Sequence, residues 1–182
     1  MNRCKWVNLE NKRYVDYHDF EWGRAKYDDH ILFELLILEM FQAGLSWECI
    51  LNKRESFRNS FDNFDCEKIS NYDDEKIFEL LNNKSIIRNK LKIKASINNA
   101  KIFMNIQREY GSFSKYIWHF TNNKVIYNKD NVFVTHNELS DEISRDLKSR
   151  GMKFVGTVII YSYLQAIGII NDHQLECFCY KK

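Results

Sequence analysis

Glu39 sits in the run Leu38-Glu39-Met40-Phe41, inside a stretch that is apolar nearly all round. A carboxyl group buried without a partner is costly, so such groups are paired, hydrogen-bonded or functional. Pairing with a nearby arginine, or exposure to solvent, is the ordinary outcome. The surrounding sequence is rich in rings, with Trp6, Tyr14, Tyr17, Trp22 and Trp47. Each ring taken singly is a core residue. Together, an acid among ring faces has the chemistry to hold a flat, cationic, hydrogen-bonding ligand.

A second set of chemistry-bearing residues lies near the two ends of the sequence. His173 and Cys177 are spaced so that one helical turn would put both on one face, and Cys4 and His18 lie near the other end. Two thiolates and two imidazoles make a closed tetrahedral zinc set, too soft for magnesium or calcium. Four protein ligands leave no position for water, so such a zinc would be structural. Against this, a lone His-x-x-x-Cys pair is usually incidental, buried cysteines often act as small hydrophobes, and Cys179 competes with Cys177. Cys49 and Cys66 open a further reading, a cysteine-dependent hydrolase. Neither lies in a nucleophile motif.

The 182 residues fit one unit, with two helical lobes possible and no linker or repeat between them. Hydrophobic residues at 45% and aromatics at 15% exclude a disordered chain. No window reaches the roughly 18 uninterrupted apolar residues of a membrane span, and the first residues lack a secretory pattern. A soluble, cytoplasmic protein is expected, at the nucleoid if bacterial, with no membrane partner. Five cysteines in no scaffold spacing fit a reducing compartment. The net charge of +2 permits a nucleic-acid partner without announcing one.

The elements that must position these residues read as all-α. Ile31 to Leu45 predicts a central buried helix. Trp47 to Phe61 follows, with Trp47, Ile50, Leu51, Phe57 and Phe61 on one face. Asp73 or Asp74 caps a short helix from Glu75 to Leu81. A long helix runs from about Ile86 to Gln107, with Ile87, Leu91, Ala95 and Ile102 along its apolar side. Ser112 or Ser114 starts another helix. Residues 121–139 have no helical period; Val125 to Tyr127 and Val132 to Val134 could be extended, but the segment reads as a surface loop. Helix returns after Ser140, stops at Gly151, and resumes from about Thr157 to Ile169.

Several stretches occur in a recognisable order: RCxW (Arg3 to Trp6), YHDxEWG (Tyr17 to Gly23), LExxQAGLSW (Leu38 to Trp47), IIRNKLKI (Ile86 to Ile93), KFVGT (Lys153 to Thr157) and QAxGxxNDH (Gln165 to His173). Together they resemble the 3-methyladenine DNA glycosylase I family from Arg3 to about Tyr180. The resemblance implies the helix-hairpin-helix DNA-glycosylase architecture and one structural zinc on Cys4, His18, His173 and Cys177, joining the two end segments. It implies that Glu39 hydrogen-bonds an extruded base, Trp47 stacks on it and Tyr17 lines the pocket. Trp6, Tyr14 and Trp22 complete the wall. Gly44 and Leu45, in the turn Gln42 to Leu45, probe the vacated stack, with Leu45 as a wedge. One departure stands out: the hairpin turn, Asn82 to Ile86, contains no glycine, which leaves Asn83 to take any left-handed conformation.

The implied activity is removal of 3-methyladenine from double-stranded DNA by a monomeric, monofunctional enzyme without lyase activity. A 3-methyladenine base carries a positive charge that already weakens its glycosidic bond. Positioning and electrostatics therefore suffice in place of a strong nucleophile. Arg88, Lys90 and Lys92, with Lys94, are expected along the DNA backbone, and Lys148, Arg150 and Lys153 form a second basic cluster. Each is equally consistent with an ordinary solvated helix face. A non-catalytic DNA-damage-binding protein on the same fold is the competing expectation.

Overall fold

A computed structural model describes residues 2–129 and 132–180. The central element is helix α2 (Asp29–Gln42), capped by the Asp28 side chain at its N-terminus and buried at every residue from Leu32 to Phe41. It is preceded by α1 (Lys12–Phe20), which the sequence reading did not anticipate. The expected single helix after Trp47 is broken at Lys53 into α3 (Trp47–Asn52) and α4 (Arg54–Ser60). Two short helices follow, α5 (Cys66–Ser70) and α6 (Asp74–Asn82), the latter capped by Asp73.

The long helix α7 (Lys90–Tyr110) starts later than expected, because the Asn89 side chain caps it by accepting from Lys92 N. Its buried side carries Ile93, Ala95, Ile97, Ala100, Phe103 and Ile106, while Leu91 is exposed. The expected apolar stripe was therefore out of phase at its start. Helix α8 (Phe113–His119) is capped by Ser112, and α9 (Glu138–Ser149) by an Asn137–Ser140 capping box. Gly151 ends that region in the left-handed conformation. Helix α10 (Thr157–Ala166) packs against α2 and α9, and α7 against α5 and α8. Apolar side chains from α2 to α10 merge into one core, while α1 packs in a second cluster with Cys4, Val7, Trp22, Leu51 and Cys177.

Among the described residues, the only departure from the all-α expectation is a parallel pairing of β1 (Ile126–Tyr127) with β2 (Ile170–Asn171). Ile126 N donates to Ile169 O at 2.8 Å and Asn128 N to Asn171 O at 3.0 Å. This pins the loop expected at 121–139 to the end of α10. Val132 to Val134 form no strand. Among the described residues, no helix is long and apolar enough to cross a membrane.

Candidate functional site

Helices α1, α2 and α3 converge on a cavity of about 250 Å³. Tyr14 and Tyr17 come from α1, Trp22 from the turn after it, Glu39 from the last turn of α2, and Trp47 from the first turn of α3. Trp6 enters from the N-terminal segment. The sequence explains the tight join between Glu39 and Trp47. Helix α2 ends at Gln42, Gly44 adopts φ 80°, and Ser46 caps α3 by accepting from Cys49 N. Gly44 is required there for its backbone, since a Cβ would meet nothing within 4 Å. Gly44 and Leu45 do not border the cavity; Leu45 projects into solvent beside it.

The Tyr17 and Trp47 ring centroids are 5.2 Å apart, and Trp6 lies 5.3 Å from Tyr14 and 4.9 Å from Trp22. Glu39 is 3% exposed, and its Oε2 has no hydrogen-bond partner. Burial alone pushes its carboxyl up to about 8, with no neighbouring cation pulling it back. Burial also raises the Tyr17 hydroxyl well above its ordinary value, and the nearby Glu39 adds to that. The arrangement is a buried acid in a ring-walled cavity whose ionised form lacks a counter-charge from the protein.

The same central helix carries Glu34, a second acid that the sequence reading passed over. It is 2% exposed but bonded to Arg54, and to Arg58 at 2.8 Å. Neither arginine reaches Glu39.

Behind Trp6 and Trp22, the chain-end residues Cys4, His18, His173 and Cys177 converge. Their candidate ligand atoms all lie within 4.8 Å of one another. Cys4 Sγ is 3.5 Å from His173 Nδ1, and Cys177 Sγ is 3.4 Å from His18 Nε2 and 3.6 Å from His173 Nδ1. Zinc–sulfur and zinc–nitrogen bonds at the tetrahedral angle would separate such atoms by about 3.6 Å. The outward nitrogens are already engaged: His18 Nδ1 with Asp19 Oδ1 at 2.8 Å, and His173 Nε2 with Trp22 O at 3.1 Å. Asp19 is itself gripped by Arg3 through Nε and Nη2. Burial lowers His173 to about 4, which keeps its imidazole neutral, the form that ligates.

Two details differ from the sequence reading. Neither His173 nor Cys177 lies in a helix: His173 is in irregular chain just before a turn that Cys177 closes, its N donating to Gln174 O. Cys179 is close to His18 and Asp19 but stands outside the four-ligand group. Gly23 packs so tightly on this cluster that a Cβ would meet the His173 ring at 3.0 Å.

The basic residues divide. Arg88 and Lys90 are exposed at the start of α7, as are Lys94, Lys148 and Lys153. Lys92 is not: it is 5% exposed, and its Nζ donates to Phe41 O at 2.8 Å and Ala43 O at 2.6 Å. It caps the C-terminus of α2, where unpaired carbonyls and the helix dipole favour a cation, and so is unavailable to DNA. Arg150 is likewise tied to Glu109 and Asp146. Asn83 is extended at φ −80°, not left-handed. Its side chain accepts from Ser85 N and Oγ and donates to Ser60, so the turn is shaped by side-chain bonds in place of glycine.

Cys49 and Cys66 do not border the cavity, and burial raises the Cys66 thiol. That removes the physical basis for a cysteine nucleophile here. The cavity instead recruits residues the sequence reading missed: Asn128, Val132 and Phe133 from the loop, Ser162 and Gln165 from α10, and Asp172 and Gln174. Asp172 alone had a visible signal, an acid directly before a candidate metal-binding histidine.

A helical protein with an acid-and-ring cavity backed by a Cys₂His₂ cluster has the chemistry to hold a flat, hydrogen-bonding ligand. Residues 6–180 match the methyladenine glycosylase family, and the chain belongs to it. It is 40% identical to DNA-3-methyladenine glycosylase 1 of Escherichia coli K12, over 99% of this chain and 97% of that one. It is 39% identical to DNA-3-methyladenine glycosylase of Haemophilus influenzae Rd, over 97% of each. A crystal structure of 3-methyladenine DNA glycosylase I superposes with TM-score 0.95 at 40% identity, covering 99% of this chain and 100% of that one. A tyrosine-to-phenylalanine variant of such an enzyme, solved in complex with 3-methyladenine, also superposes at 0.95, with 34% identity and coverage of 100% and 99%.

Proposed function

We propose that this protein is a DNA repair glycosylase that hydrolyses the N-glycosidic bond of 3-methyladenine, monofunctional and without lyase activity. The observation that carries the reading is Glu39: a buried acid facing a ring-walled cavity, with no internal cation to neutralise it. A positively charged purine supplies that missing charge, and a neutral adenine does not.

The substrate is double-stranded DNA from which the damaged base is flipped, at a cost that is lowest for damaged bases. Trp47 stacks on the base, Tyr17 closes the cavity beneath it, and Trp6, Tyr14 and Trp22 complete the wall. As the cation enters, the Glu39 proton passes to solvent water and the carboxylate holds the base by charge and hydrogen bond. The C1′–N bond breaks with its electron pair going to the base, which leaves neutral. The sugar becomes an oxocarbenium ion, and water adds at C1′ and sheds a proton. Gly44 and Leu45 fill the space left in the stack. The hairpin of α6 and α7 docks on the backbone as a helix-hairpin-helix element. Since the Ser85, Ile86 and Asn89 amides are bonded internally, the exposed Arg88 and Lys90 make that contact. The protein acts as a monomer and a single unit.

One structural zinc is held by Cys4, His18, His173 and Cys177, whose atom spacing and oriented imidazoles fit it. Bound there, zinc supplies a cross-link between the end segments and no reactive position. Metal analysis of the purified protein should find one zinc per chain. Its removal by a strong chelator should lower the thermal midpoint and abolish base binding together. Metal-free protein of full stability would end the zinc assignment.

The decisive assay is identification of the base released from randomly methylated DNA. Free 3-methyladenine is expected. Binding to damaged DNA without release would establish a non-catalytic damage binder.

A further inference from the structure

Among the described residues, three buried side-chain polar atoms lack a hydrogen-bond partner: Glu39 Oε2, Trp47 Nε1 and Asp172 Oδ1. All three side chains line the same cavity. Buried polar atoms are nearly always satisfied, so a concentration of the exceptions in one place marks where a ligand completes the bonding. Glu39 and Trp47 are absorbed by the function proposed above. Asp172 is not.

We infer that Asp172 is a second hydrogen-bond acceptor for the bound base, a positioning residue that works from the chain just after β2. The inference rests on the cavity being the base pocket. Asp172 follows β2, and its other oxygen is already committed. Oδ2 accepts from Tyr161 Oη at 2.6 Å and from Gln165 Nε2 at 2.6 Å, both on α10. Two donors on one oxygen fix the plane of the carboxyl group and leave Oδ1 as the open acceptor. The site thus offers two acceptors, Glu39 and Asp172, to a base stacked on Trp47. A purine carrying an exocyclic amine supplies N–H donors to match them. A ligand with no N–H donor leaves Asp172 unsatisfied.

The tethering makes Asp172→Asn informative. Tyr161 and Gln165 both donate toward one position, so the amide oxygen takes that place and the framework bonds survive. The amide nitrogen then replaces Oδ1 and turns the acceptor into a donor. A purely structural Asp172 would tolerate this change. A ligand-positioning Asp172 would not.

The test measures binding of free 3-methyladenine by tryptophan fluorescence, with thermal midpoint and metal content recorded for the same preparations. Asp172→Asn should bind roughly tenfold to a hundredfold more weakly, with the other two readouts unchanged. Affinity within twofold of wild type overturns the inference. A wild-type protein that releases no 3-methyladenine from methylated DNA overturns the proposed function instead, so the two failures are distinguishable. If the variant does not fold, a crystal of wild type soaked with 3-methyladenine decides. A ligand nitrogen, or one bridging water, within about 3.2 Å of Oδ1 supports the role. An Oδ1 with neither overturns it.

Discussion

Glu34 and Glu39 occupy one helix, with nearly equal burial, and have opposite surroundings. Glu34 is neutralised by two arginines from α4, and Arg54 in turn bonds Glu21, so this end of α2 is a closed ionic knot. Glu39 has rings and a cavity. Burial of a carboxyl group therefore does not by itself indicate function. What distinguishes the two is whether the protein supplies the counter-charge or leaves it to an incoming molecule.

The sharpest way to break this comparison is to neutralise each acid in turn. Glu39→Gln should reduce excision of 3-methyladenine by about two to three orders of magnitude, measured under single-turnover conditions, because an electrostatic contact to the reacting group is lost. Retention of wild-type rates would return Glu39 to the class of incidental buried acids. Glu34→Gln should do the reverse, lowering stability by about 3 kcal/mol in denaturant unfolding through a buried, under-paired Arg54. The folded fraction should keep its excision rate.

A third test uses pH. Glu39 is held near 8 in the folded chain against an ordinary 4.5, so folding favours its protonated form. The resulting destabilisation is absent below about 4.5, grows as pH rises toward 8, and is constant above that. Glu39→Gln should therefore equal wild type in stability at pH 4 and exceed it by a few kcal/mol at pH 9. A stability difference independent of pH would mean the carboxyl is not suppressed. The smallest effect is expected at the hairpin. Replacing Arg88 and Lys90 together by alanine should reduce the salt dependence of DNA binding by about two phosphate contacts and leave free-base affinity alone. An unchanged salt slope would move the DNA track elsewhere.

What the sequence revealed and what it concealed divide along the same physical line. Helix α2, the caps at Asp73 and Ser112, and the stop at Gly151 were legible because they rest on local periodicity and short-range side-chain chemistry. Glu39 with its rings was legible because an acid in an apolar run is conspicuous, although Glu34 in the same run was overlooked. Lys92 was misread for the opposite reason. Nothing local separates it from Arg88 and Lys90, and only the docking of α7 against the end of α2 buries it. The break at Lys53 and the phase of α7 are likewise set by packing. The loop wall and the acceptor at Asp172 depend on α10 and β2 arriving together, which no short window of sequence encodes.

The chain-end cluster has a consequence for the chain as a polymer. If the proposed zinc is bound, Cys4 and Cys177 share one coordination sphere and the string of residues between them becomes a ring, beside the bond from Phe178 N to Asn2 O. By analogy with a covalent clasp on so long a loop, that closure would remove about 5 kcal/mol of disorder from the unfolded ensemble. Opening the ring at an exposed connection elsewhere, with a short bridge joining the old ends, should therefore preserve the architecture. On that proposal, the order in which the helices are threaded would matter less than the metal that ties the two end segments.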